Sequence, residues 1–124
     1  MLGRRYAIPL KTRVALERVF EVPVDGVIVI EHSLYARAHL GMYATTRPNR
    51  ILLANGGAEF AANPELVLHE YFHVIRQWRS GSLTRWGYLT ESARRGYRAN
   101  RFEQEAREFA AAVRERFERY LNDS

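Results

Sequence analysis

The spacing of hydrophobic and polar positions predicts three helices in this chain. Apolar side chains recur at helical spacing over residues 10 to 20, which is typical of a short amphipathic helix. A second helix of about four turns is predicted to begin at Pro64, because Asn63 is a favoured N-cap and proline is favoured at the first helical position. A third helix is predicted from about residue 100 to residue 121, with an apolar stripe made of Phe102, Ala106, Phe109, Val113, Phe117 and Tyr120.

The remaining hydrophobic runs predict strands. Residues 26 to 32 are rich in β-branched side chains and indicate a buried strand. Residues 42 to 46 and 50 to 54 flank the sequence Arg-Pro-Asn, which favours a hairpin, whereas residues 55 to 62 are predicted to form a loop. We therefore expect an α+β fold in one zincin-like domain, residues 1–124, with a small, mainly antiparallel sheet packed against the last two helices.

The second predicted helix contains the sequence H-E-x-x-H, formed by His69, Glu70 and His73. Residues four apart lie on one face of a helix, so the two imidazoles can bind a single ion. Glu70 lies about 100° round from His69, where it can act as a general base without binding the ion. The alternative is that His69 and His73 are ordinary half-buried histidines with Glu70 as their ion-pair partner.

A catalytic zinc site needs a third protein ligand. The chain has no cysteine, and no histidine follows His73, so the ligand must be a downstream carboxylate. Glu103 lies at the edge of the apolar stripe beside two small alanines, and Glu105 lies slightly farther off on the other side. Helix geometry favours Glu103 but leaves Glu105 open, and Glu103 could instead form a capping box with Asn100. The full set of candidates is Glu91, Glu103, Glu105, Glu108, Glu115, Glu118 and Asp123.

Two stretches, LVLHEYFHVIRQW and WGYLTESARRGYRANRFEQEA, resemble gluzincin-type zinc metallopeptidases. They resemble more closely the short zincin-like domains of bacterial contractile injection systems and phage-like clusters. The shared features after the motif are Gln77, Gly96-Tyr97, Asn100 and Glu103-Gln104-Glu105-Ala106. The resemblance covers roughly residues 26 to 112 and implies Zn²⁺ bound by His69, His73 and Glu103, with Glu70 as the general base.

The chain departs from the gluzincin pattern at one position. Gluzincins often place an aspartate four residues after the ligand glutamate, where it braces a histidine, and this chain has Arg107 there. A peptidase of this kind also needs a group that stabilises the developing oxyanion. Tyr97 is the residue we name for that role, with Tyr88 and Arg98 as alternatives, although packing with a hydrogen-bonded hydroxyl would also account for either tyrosine.

Charge and composition restrict the partners. The net charge is +5, with 19 Lys and Arg against 14 Asp and Glu, and an arginine-rich composition is typical of a GC-rich bacterial or phage genome. Arginines after residue 76 alternate with glutamates, which indicates a solvated helix face rather than a nucleic-acid surface. No apolar run is long enough for a membrane span, and no secretory signal is evident. We expect a cytoplasmic protein, or one exported by a route that requires no N-terminal peptide.

Three functional hypotheses follow. The first is a zinc-dependent peptidase that hydrolyses a peptide or protein substrate with a metal-bound water and Glu70 as base. The second is a binding module of zincin fold, with little or no turnover, within an injection-system or phage-associated complex. The third is a basic, DNA-associated protease, which would require DNA binding that weakens steeply with salt.

Overall fold

The structure is a computed structural model that describes residues 3–34, 36, 44–84, 87, 90–91, 93–94 and 100–123. Within these residues the strands are β1 (Arg4–Tyr6), β2 (Ile28–Glu31), β3 (Ala44–Arg47) and β4 (Arg50–Leu53). The helices are α1 (Leu10–Phe20), α2 (Gly57–Ala61), α3 (Pro64–Phe72) and α4 (Arg101–Asn122), and a π-helical segment, His73–Trp78, continues α3. None of the helices in this part of the chain combines the length and the hydrophobicity needed to cross a bilayer.

The four strands form one sheet in the order β1-β2-β4-β3. The outer pairings, β1 with β2 and β3 with β4, are antiparallel, and the central pairing of β2 with β4 is parallel. The α+β class is therefore confirmed, while the sheet is mixed. Strand β1 was not predicted, because Arg4-Arg5-Tyr6 has no hydrophobic pattern and joins the sheet by backbone pairing with β2.

The predicted hairpin is confirmed, and the predicted loop after it is wrong. Arg47 and Arg50 form the pair that closes the hairpin, and Asn49 has the positive φ of 60° that asparagine tolerates in turns. The segment predicted as a loop contains α2. The N–H of Gly57, at the start of α2, donates to the Glu31 carboxylate over 2.8 Å, and Phe60 is fully buried. These long-range contacts stabilise a turn of helix that its glycines disfavour.

The helices pack on one face of the sheet around a common hydrophobic core. Helix α3 begins as predicted, since the Asn63 side chain accepts a hydrogen bond from the Leu66 N–H over 3.2 Å. Helix α4 makes its most extensive contact with α3. Ala106 and Ala110 are fully buried, and their small side chains allow the two helices to approach closely.

The helix that carries the motif changes its winding at His73. Up to Phe72 it is α-helical, whereas His73–Trp78 is π-helical, and the Arg79 N–H donates to the carbonyl of Val74, five residues earlier, over 3.0 Å. The prediction of a helix of about four turns from Pro64 is confirmed in length, but the change in winding was not predicted. Short π-helical stretches are rare and occur frequently at functional sites.

Candidate metal centre

Two helices bring the predicted metal ligands together. Helix α3 carries His69 in its last turn, His73 begins the π-helical segment, and α4 presents Glu103 from its first turn. Glu103 Oε1 lies 3.0 Å from His69 Nε2 and 3.1 Å from His73 Nε2, and the two Nε2 atoms are 3.2 Å apart. Glu103 and His73 are buried and His69 is nearly so.

The spacing of these three atoms fits a single small ion. Zinc binds nitrogen and oxygen ligands tetrahedrally at 2.0–2.1 Å, which places neighbouring ligand atoms about 3.3 Å apart. The observed separations of 3.0–3.2 Å are close to this value, so an ion would require only a slight opening of the cluster. His69, His73 and Glu103 could therefore hold a metal ion.

Glu70 lies beside this group but does not belong to it. Its Oε2 is 3.9 Å from His69 Nε2, and the side chain is buried. Burial raises the pKa of the Glu70 carboxyl, and the charge of Glu103 adds to this effect, while His69 and His73 oppose it. A carboxyl in such surroundings accepts a proton more readily than one in water.

Two carboxylates, Glu70 and Glu103, act on the charge of His73. Burial lowers the pKa of its imidazole, but the hydrogen bond with Glu103 and the charges of Glu70 and Glu103 outweigh this effect and raise the pKa to about 8. The cluster thus favours a positive charge at its centre, which either a proton or a metal cation supplies.

Gln77 is an additional residue of the site, known from the sequence only through the resemblance. Its side chain is fully buried, and its Oε1 lies 2.6 Å from His73 Nδ1. Its Nε2 donates to the Phe102 carbonyl over 3.1 Å and to Glu105 Oε1 over 2.8 Å. Glu105 therefore contacts the site through Gln77, whereas Glu103 lies among the histidines.

Searches of protein-family models, of curated proteins and of solved structures found no match to this chain. Any functional argument therefore rests on the residues of the site.

The other carboxylates proposed as the third ligand lie elsewhere. Glu91 accepts a hydrogen bond from the Arg101 N–H over 3.3 Å, and Glu118 accepts one from Arg114 over 2.8 Å. Asp123 lies 3.8 Å from a guanidinium nitrogen of Arg18, and Glu108 and Glu115 are exposed. The residues named for oxyanion stabilisation, Tyr97, Tyr88 and Arg98, lie outside the described residues.

Strand β3 is the edge strand that adjoins the motif helix. The indole N–H of Trp78 donates to Thr46 Oγ1 over 3.1 Å, which ties the end of the π-helical segment to β3. Trp78 is half-buried at this junction.

Proposed function

We propose that this protein is a zinc-dependent peptidase whose metal is held by His69, His73 and Glu103. The observation that carries the proposal is the convergence of two imidazole nitrogens and one carboxylate oxygen within 3.2 Å of one another, beside the buried Glu70. Two histidines and a glutamate form one of the common ligand sets of catalytic zinc. Zinc held in this way acidifies water and polarises carbonyl groups.

Glu70 is the general base in this proposal. Its carboxylate is next to the ligand atoms, 3.9 Å from His69 Nε2, yet separate from the three-residue group. Burial raises the pKa of Glu70, and a base works best when its pKa is near the working pH. Glu70 would take the proton of the attacking water and deliver it to the leaving amine. Stabilisation of the oxyanion by Tyr97 remains a prediction.

The outer edge of β3, which is an edge strand among the described strands, is the proposed docking site for a peptide or protein substrate. An extended peptide can add to an exposed sheet edge by backbone hydrogen bonds. Strand β3 has this position in the sheet, and the hydrogen bond from Trp78 to Thr46 keeps it next to the metal-binding helix. A substrate on this edge would lie against the same helix that carries His69 and Glu70.

Metal content is the first test. Elemental analysis of purified protein should give about one zinc per chain for the wild type and for Glu105→Ala at saturating zinc, and much less for Glu103→Ala. Glu105→Ala is the matched control, because it removes a glutamate two residues away that lies outside the three-residue group. A wild-type protein that binds no zinc after reconstitution would refute the proposal.

Cleavage is the second test. A peptide library incubated with the zinc-loaded protein should be cleaved by the wild type and not by Glu70→Gln, which should still bind one zinc. Stoichiometric zinc without cleavage of any peptide would instead favour the hypothesis of a binding module.

A further inference from the structure

Both ends of the buried Gln77 amide have defined partners. The Phe102 carbonyl and the Glu105 carboxylate are hydrogen-bond acceptors, and they lie 3.1 and 2.8 Å from the same atom of Gln77. This atom must therefore be the amide nitrogen, which has two hydrogens to donate. The amide oxygen then has to face His73 Nδ1, at 2.6 Å.

This orientation determines the tautomer of His73. Because an amide oxygen only accepts, Nδ1 must carry the hydrogen in the short contact with Gln77. A neutral imidazole has one N–H, so Nε2 is left with a lone pair. Nε2 is the atom that faces His69 and Glu103, and a metal requires this tautomer.

Gln77 lies four positions after His73, and side chains at this spacing are neighbours on a helix. In an α-helix, a residue four positions after His73 is rotated about 40° beyond a full turn. A π-helix closes its hydrogen bonds between residues five apart, so its turn is wider than that of an α-helix. The π-helical segment begins at His73 and includes Gln77.

We propose that Glu105, Gln77 and His73 form a hydrogen-bonded relay that holds His73 in the metal-binding tautomer. Glu105 and the Phe102 carbonyl orient the amide, the amide oxygen orients the imidazole, and the imidazole presents Nε2 to the ion. Gln77 and Glu105 are positioning residues, which act on the ion through His73. The inference rests on the metal site of the proposed function but not on peptidase activity.

Zinc affinity measures the contribution of the relay. Gln77→Met keeps a side chain of similar length without an acceptor, and it should bind zinc about 10–100-fold more weakly in competition with a chromophoric chelator. Glu105→Ala should show a smaller loss, of about threefold to tenfold. Glu105→Gln retains an acceptor oxygen and should restore affinity to within about twofold of the wild type. Glu108→Ala, an exposed glutamate on the same helix, is the matched control and should bind like the wild type.

A spectroscopic measurement separates orientation from general stability. Proton–nitrogen correlation spectra of the zinc-loaded, ¹⁵N-labelled protein should show a protonated Nδ1 in His73 that exchanges slowly with solvent. The same proton should exchange faster in Gln77→Met, and the absorption spectrum of the cobalt-substituted variant should differ from that of the wild type.

The outcomes distinguish the relay from the site itself. A folded Gln77→Met that binds zinc within about twofold of the wild type, with an unchanged His73 spectrum, would overturn the relay and leave the metal site intact. If Gln77→Met does not fold, the two variants of the exposed Glu105 provide the test. Equal zinc affinities of Glu105→Ala and Glu105→Gln would overturn the relay. A wild type that binds no zinc would remove both proposals, and zinc binding without cleavage would remove only the peptidase.

Discussion

The closeness of α3 and α4 at the metal centre depends on small side chains, and Ala106→Leu tests this dependence. Ala106 is fully buried and lies one turn after Glu103, on the face of α4 that packs on α3. A leucine at this position would force the two helices apart or push side chains out of their preferred rotamers.

The sign of the stability change decides between a tight and a loose contact. If unfilled space surrounded Ala106, the extra carbon atoms of leucine would stabilise the fold by about 2 kcal/mol, at about 0.8 kcal/mol per buried methylene. In a close-packed contact the same change costs about 1–3 kcal/mol. We expect destabilisation, because Ala106 and Ala110 are both fully buried, and Glu103 Oε1 lies 3.0 Å from His69 Nε2 across the same contact.

Zinc affinity should fall together with stability. A displacement of α4 by about 1 Å at Glu103 is far larger than the tolerance of about 0.2 Å in metal–ligand distances. Urea denaturation of the metal-free protein measures the free energy of unfolding, and chelator competition measures the zinc affinity.

The matched control is Ala111→Leu, which makes the same substitution at an exposed position of α4. It should change the free energy of unfolding by about 0.5 kcal/mol or less and leave the zinc affinity unchanged. If Ala106→Leu were as stable as this control, or more stable than the wild type, the reasoning about the helix contact would be refuted.

Two further predictions concern the elements that support the site. Asn63→Ala removes the cap that accepts the Leu66 N–H, and thermal or urea unfolding should show a loss of about 1 kcal/mol; an unchanged stability would contradict the role of the cap. The second concerns Glu31, whose pKa is lowered mainly by the hydrogen bond from Gly57 and further by Arg4. Because the folded-state pKa lies below the unfolded value, the stabilisation is present above the unfolded pKa and is lost as the pH falls through the folded one. Urea titrations between about pH 5 and pH 3 should therefore show a steeper loss of stability in the wild type than in Glu31→Gln. Parallel curves for the two proteins would contradict the stabilising role of the Glu31 carboxylate.

Local chemistry explains which parts of the fold could be predicted from the sequence. The start of α3 is determined by Asn63 and Pro64, whose capping and conformational preferences act within a few residues. The hairpin follows from the turn chemistry of Pro48 and Asn49 in the same way. The position of Glu103 beside two buried alanines was predicted because helical periodicity places all three on adjoining parts of one face.

The elements that were not predicted depend on contacts that are distant along the chain. Strand β1 exists because its backbone pairs with β2, and α2 is anchored where Gly57 donates to Glu31, 26 residues earlier. Neither segment has a hydrophobic period or a cap of its own that would distinguish it from a loop. Their formation is a consequence of the assembled sheet, so the sequence pattern alone could not predict them.

Gln77 is the residue for which a usable signal was present in the sequence. His69, His73 and Gln77 follow one another at intervals of four on a helix whose other side chains are largely apolar, so they form a polar line on a buried surface. A glutamine on a buried face requires partners for both its oxygen and its nitrogen, since an unsatisfied amide costs more than the burial gains. Because Gln77 continues the line of His69 and His73, the nearest polar partner for its amide is the imidazole of His73. The π-helical winding of the segment that contains His73 and Gln77 could be found only in the structure.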